Sequence, residues 1–88
     1  MATTPCSDRA SSDPAIVDAE AVLEHVAARI AARRKALGLT QADLASRAGM
    51  DRTFLNRVEK GQRNPTLVML VRVAHGLNTT VGSLVEAL

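Results

Sequence analysis

Four glycines spaced 11 to 15 residues apart divide much of this chain into short segments. They are Gly38, Gly49, Gly61 and Gly76, and each is followed within three residues by Thr, Asp or Asn. Glycine commonly terminates a helix, whereas Thr, Asp and Asn commonly cap the start of one. The segments between the glycines lack the alternation of polar and apolar residues that indicates strands, and Ala and Leu favour helix. The chain is therefore predicted to be all-α.

The first helix is predicted to end near Leu37, with Gly38 as its C-cap. Asp13-Pro14 offers one start, since Asp caps a helix and Pro suits its first turn. A start near Ala19 or Ala21 is the alternative. Residues at a spacing of seven share one face of a helix. Ile16, Leu23, Ile30 and Leu37 have this spacing and form one apolar stripe along the segment, to which Val26 also belongs.

Four shorter helices are predicted to follow. The second opens with a capping-box variant from Thr40 to Asp43, in which Asp replaces the usual Glu. The second helix is predicted over about 41–47, and the third over about 52–59 with Asp51 as its cap. The fourth opens at Asn64-Pro65-Thr66 and runs to about His75, and the fifth opens at Thr79 or Thr80 and reaches about Ala87. The five helices would form one domain over residues 14–88, a length typical of a single domain. Residues 1–13 are small and polar and are predicted to be a flexible tail.

Charge is distributed unevenly along the chain. Residues 1–28 contain five acids and one Arg, whereas residues 29–63 contain nine Lys or Arg and three acids, a net charge of about +6. Such a basic stretch is typical of nucleic-acid binding, although a solvated charged face is the alternative interpretation. Within it, Arg29, Arg33 and Lys35 are expected to face solvent or to lie near phosphates.

Composition and motifs argue against several classes of protein. Cys6 is the only cysteine, so no intramolecular disulfide or cysteine-rich metal site is expected, which fits a reducing cytoplasm. His25 and His75 lie on different predicted helices without a carboxylate or cysteine cluster, and no metal is predicted. There is no nucleophile–base pair and no glycine-rich phosphate loop, so neither an enzyme nor a cofactor is predicted. No long apolar run or signal-peptide pattern predicts a membrane span or export.

The second and third predicted helices have the pattern of a helix-turn-helix. Ala45 is small where the two helices would approach, and Gly49 permits the positive φ that a tight turn between helices often demands. Four hydrogen-bonding side chains would lie on the outer face of the third helix: Arg52, Thr53, Asn56 and Arg57. Such side chains can contact base edges in the major groove of DNA. A DNA-reading module is therefore predicted between Thr40 and Gly61.

The chain resembles the lambda-repressor-like, Xre-type family of helix-turn-helix transcriptional regulators. The resemblance covers roughly residues 26–86 and rests on the strings G-L-T-Q-x-x-L-A, A-G and E-K-G-x-x-N-P within the run LGLTQADLASRAGMDRTFLNRVEKGQRNPTLVMLVRVAHGLNTTVGSLV. It implies a five-helix bundle that binds a palindromic operator on double-stranded DNA as a homodimer. The expected function is that of a repressor or autoregulator, with the 52–59 helix as the recognition helix.

The resemblance also assigns roles to residues of the recognition helix. Arg52 and Thr53 match early positions that read base edges, and Arg57 matches a later one. Asn56 lies where contact with a base or a phosphate varies among relatives. An Arg side chain can bond guanine O6 and N7 together, which contributes about 1–3 kcal/mol of discrimination when well placed.

Residues around this helix receive supporting roles from the same resemblance. Gln41 matches a helix-start Gln that holds a DNA phosphate, and a helix N-terminus independently suits an anion. Lys60 and Arg63 lie in the loop where relatives contact the DNA backbone. Arg34 and Glu59 match a pair that forms a salt bridge between the first and third helices in some members.

The last predicted helix has a face that is too apolar to be fully exposed. Its members are Val81, Leu84, Val85 and Leu88. Such a face suggests a partner surface, and self-association through the fifth helix is common in the family. Dimerisation is therefore the expectation, and capping of the bundle core by this face is the alternative.

A second hypothesis treats the chain as a protein-interaction module. An antitoxin of this fold neutralises a protein partner and also represses its own operon. The acidic and partly amphipathic residues 1–28 would be the segment that contacts such a partner. Under either hypothesis a cytoplasmic protein of bacterial or phage origin is expected, associated with the nucleoid.

Overall fold

A computed structural model describes residues 17–88, and within this range the chain forms five helices and no strand. This confirms the all-α prediction. The predicted tail over residues 1–13 and the helix start at Asp13-Pro14 lie outside the described residues. The helices are α1 (Ala19–Ala36), α2 (Gln41–Ala48), α3 (Arg52–Glu59), α4 (Leu67–Gly76) and α5 (Val81–Val85).

Helix α1 begins at Ala19, which was one of the two expected starts. Asp18 is in an extended conformation, and its Oδ1 accepts hydrogen bonds from the main-chain N–H of Glu20 at 3.1 Å and of Ala21 at 3.4 Å. These bonds satisfy N–H groups that have no partner within a helix. A side-chain cap therefore determines where the helix starts.

The predicted apolar stripe on α1 is only partly buried. Val26 and Ile30 belong to the core, whereas Leu23 is half-buried. Leu37 is the C-cap residue and is 39 % exposed, so its predicted place on the stripe was wrong. The helix ends one residue earlier, at Ala36, and the chain then turns through Gly38 with a φ of 72°.

The capping box at the start of α2 is confirmed. The Thr40 hydroxyl accepts from the main-chain N–H of Asp43, and the Asp43 carboxylate accepts from the main-chain N–H of Thr40, both at 3.0 Å. The hydrogen bond from the Thr40 N–H lowers the pKa of Asp43 below its ordinary value. Asp51 occupies the N-cap of α3 as predicted, but its side chain makes no capping hydrogen bond.

Helix α5 is shorter than predicted. It opens at Thr80, whose hydroxyl accepts from the Ser83 N–H at 3.1 Å, and ends at Val85 instead of continuing to Ala87. Glu86 is extended and Ala87 has a φ of 70°, so the helix cannot continue there.

The helices enclose one core. Helix α1 packs against α3 and α5, while α2 packs against α3 and α4, and α4 also contacts α5. The α2–α3 pair is thus supported from behind by α1 and α4. The largest fully buried side chains come from all five helices and the α4–α5 turn: Ile30, Leu44, Leu55, Val73, Leu77 and Leu84.

Two arginines of α1 hold the α4–α5 turn and α5 in place. Arg29 Nη1 donates to the Ser83 carbonyl at 3.2 Å. Arg33 donates to the Leu77 carbonyl through Nε at 3.1 Å and to the Asn78 carbonyl through Nη2 at 3.3 Å. The expectation that Arg29 and Arg33 face solvent or phosphate was wrong, because both are half-buried and satisfy main-chain acceptors near helix ends.

Gly76 lies at the contact between α4 and α2. A Cβ at this position would be 3.0 Å from Leu44 Cδ1 and 3.2 Å from Arg47 Cβ. We expect Gly76→Ala to lower the free energy of unfolding by about 1–2 kcal/mol, because the added methyl overpacks the α2–α4 contact. Urea unfolding followed by circular dichroism measures this change.

Gly82→Ala is the matched control for this substitution. At Gly82 the nearest atom is Thr80 Oγ1 at 3.8 Å, so the methyl meets no close contact. Alanine also favours helix over glycine by about 1 kcal/mol. Gly82→Ala should leave stability unchanged or raise it, and equal losses in the two variants would contradict the argument.

Candidate nucleic-acid interface

Helices α2 and α3 are joined by a tight left-handed turn. Gly49 has φ 67° and ψ 38°, and Met50 N–H donates to the Ala45 carbonyl at 2.9 Å. Apolar side chains of both helices are buried at their contact, and Ala45 is among them, as the sequence predicts. The turn and this contact fix the angle at which α3 is presented.

Helix α3 directs its polar side chains outward because Leu55 and Val58 are buried beneath it. At 100° per residue, burial of these two positions leaves the opposite face exposed. Of the predicted DNA-binding residues of α3, Arg52, Thr53 and Arg57 are exposed and Asn56 is half-buried. Lys60, the C-cap residue of the helix, is also exposed. The structure therefore brings five of the predicted residues onto one surface.

Arg63 lies on the same side of the molecule as the side chain of Phe54. Its guanidinium carbon is 5.2 Å from the centre of the Phe54 ring, a distance suited to a cation–π contact. Phe54 itself is half-buried and packs against the core. This contact holds the charge of the α3–α4 loop next to α3.

A salt bridge between α1 and α3 supports this surface from below. Arg34 Nε and Nη2 donate to Glu59 Oε2 and Oε1 at 2.8 and 3.0 Å, and Arg34 Nη1 donates to the Leu39 carbonyl at 2.9 Å. The side chains of Arg34 and Glu59 are 12 % and 5 % exposed. The hydrogen bonds to Glu59 raise the pKa of Arg34. The pair implied by the resemblance is present here.

Gln41 is occupied by contacts within the protein. Its Nε2 donates to Asn56 Oδ1 at 3.2 Å and to Glu59 Oε1 at 3.1 Å. A side-chain amide nitrogen carries two hydrogens, so both are used. The sequence showed Gln41 at a helix start but did not reveal that its side chain links α2 to α3.

The basic residues of the 29–63 stretch fall into two groups. Four donate hydrogen bonds to protein acceptors: Arg29, Arg33, Arg34 and Arg47, the last to the Gly76 carbonyl at 3.2 Å. The side chains of the other five make no hydrogen bond to a protein acceptor within residues 17–88: Lys35, Arg52, Arg57, Lys60 and Arg63. Four of these five lie on α3 or directly after it, so the available positive charge is concentrated at the candidate interface.

The residues of the predicted dimerisation face differ in how deeply they are buried. Leu84 is 2 % exposed and belongs to the core, so for this residue the alternative of core capping describes the structure. Val81 and Val85 are half-buried against the core, whereas Leu88 is 57 % exposed. A second apolar surface, which the sequence did not reveal, is formed on α4 by Leu67, Val68 and Val71.

Residues 17–88 contain no group of three or more His, Cys, Asp or Glu side chains that could hold a metal ion. In the same range, no helix combines the length and the apolar character needed to cross a membrane.

Comparison with known proteins yields one family and several relatives. The model of the helix-turn-helix family HTH_3 matches residues 30–84. The control protein C.SmaI of Serratia marcescens is 36% identical over 63 residues, which cover 72% of this chain and 75% of that protein.

Two solved structures have similar folds. The restriction-modification controller protein C.AhdI of Aeromonas hydrophila superimposes with a TM-score of 0.71 at 38% identity, over 73% of this chain and 97% of that one. The controller protein C.Esp1396I, solved as a tetramer in complex with its natural 35 base-pair operator, gives a TM-score of 0.65 at 34% identity. That similarity covers 67% of this chain and 78% of the controller. These relatives agree with the resemblance that the sequence motifs carry.

Proposed function

The chain belongs to the helix-turn-helix family HTH_3 of DNA-binding transcriptional regulators, and from this we propose that it binds a palindromic operator as a homodimer and acts as a repressor or autoregulator. The observation that supports the proposal most directly is the outer face of α3. There the exposed polar and basic side chains stand on a helix whose opposite face is buried. A helix of this kind fits the major groove of B-DNA.

Within the proposed complex, Arg52, Thr53 and Arg57 contact base edges. They are exposed on the outer side of α3, and Arg52 is at the first position of this helix. In helix-turn-helix proteins the N-terminal residues of the recognition helix contact the bases. Arg52 is accordingly the residue that we expect to carry the largest share of base discrimination.

Lys60 and Arg63 contact phosphates in this proposal, since they flank the recognition helix without lying on its central face. At the start of α2 the phosphate ligand is the main-chain N–H of Gln41 and not its side chain, whose two hydrogens are already used. The N-terminal dipole of α2 favours an anion at this place. Phosphate contacts of this kind position the protein without selecting a sequence.

The proposed homodimer rests on exposed apolar side chains and on the oligomer formed by a relative. The controller C.Esp1396I binds its operator as a tetramer. In this chain Leu88, which follows the end of α5, is exposed, and Val81 and Val85 of α5 are half-buried. Two copies joined here would present two α3 helices to half-sites about one turn of DNA apart.

The antitoxin hypothesis is not favoured, because the matched relatives are control proteins and transcriptional regulators. Most of the acidic segment that it invokes lies outside the described residues. A protein partner contacting residues 1–28 would be compatible with DNA binding.

Arg52→Ala and Lys60→Ala together test the proposed reading surface. We expect Arg52→Ala to weaken operator binding by about 1–3 kcal/mol and to relax preference at one base position. Lys60→Ala should weaken binding to operator and random DNA alike. It should also reduce the slope of log K against log salt concentration by about one, the value for one lost phosphate contact. Fluorescence anisotropy with both DNAs at several salt concentrations measures these effects. An equal loss on both DNAs for Arg52→Ala would refute its role as a base reader.

A further inference from the structure

A continuous set of polar contacts beneath α3 ends at Asn56. Arg34 donates two hydrogen bonds to the carboxylate of Glu59. Glu59 Oε1 also accepts from Gln41 Nε2 at 3.1 Å, and the same nitrogen donates to Asn56 Oδ1 at 3.2 Å. Three helices therefore contribute to the position of one side chain on the candidate interface.

The charge of Glu59 determines how the two amides are oriented. A carboxylate can only accept hydrogen bonds, so Gln41 must turn its Nε2 toward Glu59. The same nitrogen faces Asn56, where it can only donate, and Asn56 must therefore turn its Oδ1 toward Gln41. The reverse orientation of either amide would bring two oxygens or two N–H groups together, so the contacts themselves define both orientations.

This orientation leaves only the nitrogen of Asn56 for a ligand. Its Oδ1 faces α2, and within residues 17–88 no hydrogen bond uses its Nδ2. The half-buried side chain also cannot rotate without breaking its bond to Gln41. Asn56 is thus held as a donor on the α3 surface.

We propose that Asn56 is a specificity-determining residue that reads only hydrogen-bond acceptors, and that Gln41 is the positioning residue that imposes this restriction. The proposal rests on the proposed function, binding of operator DNA through α3. Recognition of adenine by Asn needs one donor and one acceptor side by side, whereas guanine presents two acceptors, N7 and O6, and cytosine presents a donor. Asn56 therefore favours guanine, rejects cytosine and lacks the usual preference for adenine.

Selection of bound sequences from random DNA with the full chain tests this proposal. Asn56→Ala identifies the base position, since that position should lose its preference. There the unmodified chain should select guanine over cytosine by about tenfold or more. Gln41→Met cannot donate to Asn56 Oδ1, so the amide becomes free to rotate and adenine should rise to at least the level of guanine.

Two further variants make the test independent of any one substitution. Asn56→Asp keeps an acceptor for Gln41 and presents a second acceptor outward, so preference at the same position should move from guanine to cytosine. Gln62→Met makes the same chemical change at the other glutamine of the chain, which is exposed and outside these contacts. It should leave the preference unchanged. Circular dichroism verifies that each variant is folded.

The outcomes separate this proposal from the proposed function. Enrichment of no sequence by the unmodified chain would overturn both. A selected operator that Asn56→Ala relaxes at no position would overturn only the role of Asn56. An adenine at the relaxed position, or an unchanged preference in folded Gln41→Met, would overturn the restriction imposed by Gln41.

Discussion

Replacement of Glu59 by alanine is expected to lower the free energy of unfolding by about 3 kcal/mol, because it leaves the Arg34 guanidinium largely buried without its counter-charge. The same change removes an acceptor from Gln41. Denaturant unfolding at neutral pH measures the loss. Glu20→Ala, which removes an exposed acid from the first turn of α1, serves as the control and should cost less than about 1 kcal/mol.

A double variant separates the effect of the salt bridge on stability from its effect on the position of Gln41. Arg34→Leu combined with Glu59→Met replaces both charges by apolar groups, and such replacements are often neutral for stability. Some cost remains, because the Leu39 carbonyl loses its donor. Operator binding should nevertheless stay impaired in the double variant, since Gln41 still lacks its carboxylate. Full recovery of both stability and operator binding would show that the salt bridge does not position the reading surface.

The second large effect is expected at the two leucines of the predicted dimerisation face, one buried and one exposed. Leu84→Ala should lower the free energy of unfolding by about 3 kcal/mol, because Leu84 is fully enclosed in the core. Leu88→Asp should leave the fold of one chain intact, because Leu88 is largely exposed. It should instead convert the proposed dimer to a monomer and reduce operator affinity by more than about tenfold.

Analytical ultracentrifugation of the folded variants decides which apolar surface joins two copies. Val68→Asp on α4 is the matched comparison, since Val68 is 61 % exposed. A monomer with Leu88→Asp alone supports the α5 interface. A monomer with Val68→Asp alone would move the interface to α4, and an unmodified chain that is itself monomeric would contradict the proposed dimer.

Local signals in the sequence predicted most helix boundaries. The Thr40–Asp43 capping box, the turn at Gly49 and the helix ends near Gly61 and Gly76 depend on residues within a few positions of one another. The end of α5 was wrong by two residues because no glycine or proline marks it. Asp51 was placed correctly as N-cap, but its carboxylate makes no capping hydrogen bond, which the residue type alone does not reveal.

Contacts between distant segments explain what the sequence did not reveal. The distant acceptors of Arg29 and Arg33 lie 44 to 54 residues away, and they are main-chain carbonyls, which have no signature in a sequence. Gln41 contacts residues 15 and 18 positions away, and only the angle between α2 and α3 brings them together. The outward face of α3 was predictable because helical periodicity alone separates it from Leu55 and Val58.

The attachment of α5 by Arg29 and Arg33 has a consequence for how this chain can change during evolution. Every amino acid supplies the same main-chain carbonyl, so Ser83 can be substituted without losing the group that Arg29 holds. Outward side chains of the segment from 77 to 83 can therefore vary while it stays docked, except at Asn78, whose φ of 57° favours Asn or Gly, and at Thr80, which caps α5. A lineage that retains the two arginines can acquire new surface chemistry beside α5 without rebuilding the helices that present α3.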